Sequence, residues 1–339
     1  MTNVMLLQDN KYVKLDSVSL ADLPTDERIW VQLTNPNEIE VHRVMDELHI
    51  PEDFVRSALD DEEGPRFDDD DDTGYNLIVF DIPVTQHQDE ESDAPYITMP
   101  LAIIQKDLLT VTVCLNDSPK FNEIKHGTLR SNVLLDSNKI LYQFLLAFHS
   151  LYETYLRAID KASSRLESRL LYSNKPDANL LDLMRLKNTL IYFASSLRQN
   201  IIVGDKLLSM AQKSLSEDDV ETLENIKVEI EQAFATCSLQ RELMTETMST
   251  YANIVSNRLA ERMRFLTIVT IILAIPTLIA GIYGMNVPLP FDNLPNLWPF
   301  ILVCLMIIVA CILVLCWVLP DKSHFRNKKK KPTHRRHRD

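Results

Sequence analysis

The chain has 339 residues, with 35 Lys and Arg against 48 Asp and Glu, five cysteines and six glycines. Its length suits two average domains, and a net charge of −13 argues against a general nucleic-acid binder, which needs a broadly basic face. No Walker-type or G-x-G-x-x-G spacing occurs, which argues against an ATP-driven pump within this chain. From the start to about Leu115, β-rich runs alternate with helical ones. Ile29–Leu33, Tyr75–Phe80, Tyr96–Ile104 and Leu109–Leu115 are rich in Val, Ile, Tyr and Thr and read as strands. The last two flank Gln105–Leu108, a hairpin turn. Asn35 and Pro36 open a helix as N-cap and first residue, with Ile39, Val44, Met45 and Leu48 on its buried side. The region 1–137 is therefore an α/β domain whose strand order is not readable.

Within it, Asp60–Glu63 and Asp68–Asp72 place nine carboxylates in 13 residues, opposed only by Arg66. Such a run reads either as a solvated hairpin or loop, or as a weak divalent-cation sensor between subunits. The eight histidines have no H-x-x-x-H or H-E-x-x-H spacing, and the cysteines have no C-x-x-C pair. A zinc centre, a disulfide framework and a nucleophile–base constellation are not expected, so the chain does not read as an enzyme. The N-terminus has no basic n-region leading into an apolar run, so no cleavable signal peptide is expected.

After Asn138 the pattern turns helical. One helix runs to about Tyr172, a second from Asp177 to about Lys213, and a third starts at Ser214 or Ser216 with Glu217, Asp218 and Asp219 in its first turn. No Gly or Pro occurs between Glu217 and Pro276. The third helix, a stalk over about 217–264 of a helical region 138–264, can thus continue unbroken into an apolar run, roughly 100 Å in all. Phe265–Tyr283 and Trp298–Leu319 carry no charge, and as helices they rise roughly 28 and 33 Å, enough to cross a bilayer. A transmembrane domain 265–320 follows, with spans 265–283 and 298–319 joined by a loop 284–297 that has no Lys or Arg. Arg262, Arg264 and a basic tail 321–339 put both termini in the cytoplasm of a multi-pass cell (inner or plasma) membrane protein. The tail suits anionic lipid headgroups better than nucleic acid. Net charge is segregated: −19 over 1–264, −1 over 265–320 and +7 over 321–339.

Stepping back by three and four from the end of the first span gives Thr277, Ala274, Thr270, Thr267, Met263, Ala260, Ser256, Asn253 and Ser249. All are small, polar or Met, and the spacing keeps them on one helix face. Such a stripe is either a packing face against a neighbouring helix or the lining of a pore on an oligomer axis; its extension to Asn253 and Ser249 favours the pore. Two spans cannot enclose a pore, so several copies are needed. Neither span contains Asp, Glu, Lys or His, which speaks against a proton-coupled carrier. A neutral pore suits a cation that keeps its water, as Mg2+ does. A negative interior supplies about 4–5 kcal/mol per 100 mV for a divalent ion, with no ATP.

The first span ends Ala280-Gly281-Ile282-Tyr283-Gly284-Met285-Asn286. Gly284 can take the left-handed conformation that ends a helix, leaving the last carbonyls turned outward. A ring of Asn286 amide oxygens could grip the water shell of an ion, although a Gly-x-Asn after a helix also serves as an ordinary C-cap. Tyr283-Gly284-Met285-Asn286 in a short loop between two C-terminal spans resembles the CorA family of magnesium channels. The likeness includes Pro276–Ile282, the basic tail and an α/β front whose acidic segment leads into Tyr75–Phe80. It implies a homopentameric channel in the lipid bilayer, selective through Gly284, Met285 and Asn286. Its pore positions fall on Thr277, Ala274, Leu266 and Met263, beside Thr270 of the stripe. Leu266 and Met263 would form a hydrophobic gate that closes by dewetting.

By the same resemblance Mg2+ is both transported and regulatory, with no organic cofactor. Co2+, Ni2+ or Zn2+ transport within the superfamily, and a membrane-anchored divalent sensor or scaffold, are the alternatives. The chain departs from the family in two places. Its outer loop has only Asp292 where relatives often carry a glutamate. The stalk position of a known sensor carboxylate falls on Ser249, with Glu246 about one turn away. Candidate regulatory carboxylates are therefore Asp68, Asp69, Asp70, Asp71, Asp72 and Glu246.

Overall fold

A computed structural model describes residues 2–8, 11–15, 19–86, 93–126, 139–172, 176–214, 216–285 and 298–318. The chain divides into two compact units, Met1–Ser249 and Thr250–Asp339. The first unit opens with a hairpin of β1 (Thr2–Gln8) and β2 (Lys11–Leu15), followed by β3 (Ile29–Thr34). Two helices, α1 (Glu38–Leu48) and α2 (Glu52–Arg56), lead into a meander of β4 (Arg66–Asp70), β5 (Tyr75–Thr85), β6 (Tyr96–Lys106) and β7 (Leu109–Cys114). The sheet order is β2-β1-β3-β7-β6-β5-β4. Every neighbouring pair is antiparallel except β3 and β7, which run parallel because the chain returns through the whole meander before lying beside β3. The β6–β7 hairpin pairs Lys106 with Leu109, so the tight turn predicted at 105–108 is present, with Asp107 at φ 50°.

Both faces of the sheet are covered. On one side Val31, Leu33, Val79, Ala102 and Val111 pack with Val41, Val44, Phe54 and Val55 of α1 and α2. On the other, α3 (Pro119–Lys125), α4 (Lys139–Tyr172) and α5 (Pro176–Ser214) bring aromatic rings onto the strands. Trp30 is fully buried there, 5.2 Å from the Phe144 ring in T-shaped contact, and its indole N–H donates to Thr112 at 2.8 Å. Two prolines inside strands are tolerated because of where pairing stops. Pro83 lies beyond the reach of β4, and Pro100 beyond that of β7, so neither position needs a second backbone donor.

The start of α1 differs from expectation. Asn35 has φ 43° and its N–H still bonds the Cys114 carbonyl at 2.9 Å, which keeps it in the sheet. Asn37 is the N-cap, in a capping box with Glu40. The buried face is consequently set by Val41, Val44, Met45 and Leu48, and Ile39, two residues off that face, is 79 % exposed.

The third long helix, α6, runs without interruption from Glu217 to Tyr283. Ser216 caps it: its hydroxyl accepts the Asp219 N–H at 3.3 Å and donates to the Asp219 carboxylate at 2.6 Å. In the first unit α6 buries Leu223, Ile226, Ile230, Ala233, Cys237 and Met244. Their alternating spacing of three and four is the seam of a helical bundle with α4 and α5. Cys237 contacts the Leu190 carbonyl, and Gln240 and Thr247 bond to Leu156 and Glu167 of α4. The second unit holds the remainder of α6 and α7 (Trp298–Val318).

Candidate functional site

In the apolar half of α6, Ile268, Ile272, Ile275 and Ile279 are half-buried and recur at steps of three and four. On α7 the half-buried residues are Leu302, Val303, Cys304, Ile307, Ala310, Cys311 and Val314. Met263, Thr267, Thr270, Ala274 and Thr277 are all exposed. Thr270, Ala274 and Thr277 are displaced by two residues from Ile268, Ile272 and Ile275, about 200° around the helix. The polar stripe is therefore on the face away from the half-covered one. Leu266, beside it, is 58 % exposed and Met263 55 %.

The stripe threonines bond their own helix, as Thr154, Thr222, Thr236 and Thr245 do elsewhere. The hydroxyls of Thr267, Thr270 and Thr277 each donate to the carbonyl four residues earlier, Met263, Leu266 and Leu273, at 2.9 Å in each case. A hydroxyl has one proton and two lone pairs. With the proton committed to the backbone, the oxygen presents acceptors, which suit the outward-pointing hydrogens of a cation's water shell. Pro276 removes one backbone donor from this same stretch.

The helix end corrects one expectation. Among the described glycines only Gly74 has a positive φ, so Gly284 is not left-handed. Its N–H bonds the Ala280 carbonyl at 2.9 Å, and Met285 N–H bonds the Ile282 carbonyl at 3.2 Å. These bonds prolong the helical turn and occupy two carbonyls that were expected to be free. Gly284 and Met285 follow the helix directly, with Met285 exposed; Asn286, the loop to 297 and the tail from 319 lie outside the described residues.

Of the two predicted spans, the described residues contain one helix long and apolar enough to cross a membrane, α6; the described apolar stretch of α7, Phe300–Val314, is shorter.

Of the acidic run, Asp68–Asp72 form part of the edge strand and the turn of the β4–β5 hairpin, and Asp60–Glu63 precede it. Carboxylates on an exposed edge also oppose strand addition by another chain. Asp68 is taken up by Arg66 at 2.6 Å, and Arg66 also pairs with Glu63. The Thr73 hydroxyl donates to Asp70 at 2.5 Å and, with backbone N–H groups, holds that carboxyl below the usual range. Asp69, Asp71 and Asp72 remain exposed. Among the described residues no three His, Cys, Asp or Glu converge on a metal position. Glu246 is exposed on α6, and a three-residue step joins it to Ser249, so it extends the polar stripe. Periodicity alone could have placed it there.

Polar contacts tie the sheet to the helices of the first unit. The Asn200 side chain on α5 accepts the Asp81 N–H and donates to the Asp81 carbonyl, both at 2.9 Å. The Tyr152 hydroxyl on α4 donates to the same carbonyl at 3.1 Å. Burial raises the Asp81 carboxyl, opposed by a hydrogen bond from Ser196. Burial also pushes the Cys114 and Cys237 thiols up to about 12, which leaves both inert at neutral pH.

A family model described as CorA-like Mg2+ transporter protein matches residues 26–330. The chain is 28 % identical over 331 residues to the cobalt/magnesium transport protein CorA of Methanocaldococcus jannaschii, covering 92 % of this chain and 96 % of that one. Its fold is similar to the complete structure of the CorA magnesium transporter from the same organism, with a TM-score of 0.77 at 25 % identity over 94 % and 96 % of the two chains. The full-length CmaX protein shares the fold at 15 % identity, with a TM-score of 0.72 over 94 % and 96 %. The α/β unit, the long helix and the sequence match across most of the chain agree: this chain belongs to the CorA-like Mg2+ transporter protein family and not to an enzyme family.

Proposed function

We propose that the protein is a homopentameric channel that admits Mg2+ down the membrane potential, with Co2+ as a further substrate. The reading rests on family membership, on the relative named as a cobalt/magnesium transport protein, and above all on one local observation. The polar stripe of α6, with its hydroxyls, is exposed on the face opposite the half-buried one. An anchor helix has no need of that arrangement; a water-bearing pore does. Five copies of α6 line the path in this reading. Asn286 selects the hydrated ion, Thr277, Ala274 and Thr270 present acceptors and small surfaces to it, and Leu266 and Met263 close the path by dewetting.

Residues 265–320 form the membrane domain, with α7 as the second span and the loop 284–297 outside. Residues 1–137 and 138–264 are cytosolic, and the basic tail 321–339 meets the inner headgroups. The acidic hairpin and Glu246 sense cytosolic Mg2+, chiefly through Asp69, Asp71 and Asp72, because Asp68 and Asp70 already have partners in this chain. Purified protein in liposomes with a negative interior takes up Mg2+ under this reading. An absence of uptake from protein that assembles correctly would contradict it.

A further inference from the structure

We propose that His149 makes the contact between α4 and the stalk helix α6 proton-sensitive, so that acidification loosens α6 from α4 and changes cation permeation. The permeation half rests on the transport function proposed above; the loosening of α6 does not.

Among the described residues His149 is the one buried histidine, 7 % exposed. It stands on α4, and its Nε2 faces two carboxylates: Glu229 of α6 at 3.8 Å and Glu153 of α4 at 3.9 Å. Its other nitrogen, Nδ1, is buried and has no hydrogen-bond partner. The ring also lines a cavity of about 20 Å³ between β5, α4, α5 and α6, shared with Asp81, Asn200, Tyr152 and Lys227. Lys227 is held by Asp205 at 2.6 Å and by Glu231 at 3.6 Å, and Glu153 also pairs with Arg157 at 3.4 Å.

These surroundings treat the two protonation states differently. In the neutral ring Nε2–H points toward the carboxylates and Nδ1 is a bare acceptor. In the charged ring Nδ1 becomes a buried donor without an acceptor, which is costly. Glu229 and Glu153 attract the charged ring, but both are about half exposed, so solvent screens them. Burial consequently outweighs the two carboxylates and holds the His149 pKa below its ordinary value. A base whose proton affinity is lowered in the packed state takes up protons on release. The packed arrangement is fully stable above about pH 6.5 and loses stability as pH falls below it.

The experiment is amide hydrogen exchange on the full-length protein in lipid nanodiscs at pH 7.5 and 5.5, corrected for intrinsic rates. Protection of α6 between Leu223 and Cys237 falls severalfold at pH 5.5 in the wild type and stays level in His149→Gln. Glu229→Gln removes a charge that favours the protonated ring in the packed state, so the loss still begins near pH 6.5 but is deeper at pH 5.5 than in the wild type, which keeps the test intact if His149→Gln misfolds. Protection independent of pH in the wild type, an unchanged pH response in His149→Gln, or a loss at pH 5.5 no deeper in Glu229→Gln than in the wild type overturns the loosening. Mg2+ uptake matched at pH 7.5 should diverge between wild type and His149→Gln at pH 5.5; equal uptake at both overturns the link to permeation. Wild-type uptake at pH 7.5 checks the transport function separately.

Discussion

Replacing Thr270 by Val exchanges a hydroxyl for a methyl of nearly the same shape at an exposed position of α6. The helix should tolerate it, because the bond from Thr270 to the Leu266 carbonyl supplements the backbone ladder and does not replace a rung. The substitution removes a pair of oxygen acceptors facing the ion's water shell. A hydrogen bond of this kind contributes about 0.5–1.5 kcal/mol net, and 1.4 kcal/mol is about tenfold in rate. Removing one such hydrogen bond at the barrier therefore slows Mg2+ flux about two- to tenfold, and removing two together slows it about five- to a hundredfold. Uptake into liposomes with a trapped Mg2+ indicator reads this directly. Thr270→Ser, which restores the oxygen, should stay within about twofold of wild type. Ile272→Val, on the half-buried opposite face, should do the same. Wild-type flux in Thr270→Val, or equal slowing by Ile272→Val, would show that the stripe packs against protein and does not face water.

Leu266→Asp or Met263→Asp should wet the constriction and leak current at high internal Mg2+; channels that remain tightly shut would remove these residues from the gate. Converting Asp69, Asp71 and Asp72 to Asn should raise the Mg2+ concentration that inhibits uptake, whereas Asp68→Asn, whose carboxylate is held by Arg66, should change it less. Equal shifts would contradict the division between paired and free carboxylates. At Asp81, burial raises the carboxyl above its usual pKa. Such a group stabilises the fold while protonated, below the ordinary carboxylate range, and that stabilisation disappears as pH rises through the raised value. Asp81→Asn should therefore melt higher than wild type at pH 7.5, with the gap closing toward pH 4; a melting gap that is constant with pH would contradict the assignment.

Long periodic elements were legible from sequence because their signals are additive over many residues. The unbroken α6 follows from the absence of Gly and Pro between Glu217 and Pro276, and its observed bounds include that stretch. The hairpin at Asp107 likewise follows from two β-rich runs with little between them. The cap of α1 was not legible. Asn35 and Asn37 each precede a glutamate by three residues, and only the bond from Asn35 to Cys114, 79 residues away in sequence, decides between them. For β4 the sequence left a hairpin and a loop both open: three of its five residues are aspartates with little β propensity, and the strand is held by its pairing with β5. At the candidate site, the stripe was readable as periodicity. The threonine protons go to carbonyls four residues back, and Asp68 and Asp70 find partners two and three residues away; these contacts are local, but they are fixed by side-chain rotamers that residue type alone does not specify. His149 had only the local signal of Glu153 one turn on, since its other acidic partner, Glu229, lies 80 residues away on another helix.

Mg2+ uptake by the purified protein in liposomes, with the interior held negative, compared between wild type and Asn286→Ala at equal assembly, tests the central claim most directly. The expected result is potential-driven uptake by the wild type that is abolished in Asn286→Ala. Undiminished uptake by Asn286→Ala would contradict selection of the hydrated ion at that ring, and no uptake by the assembled wild type would contradict transport itself.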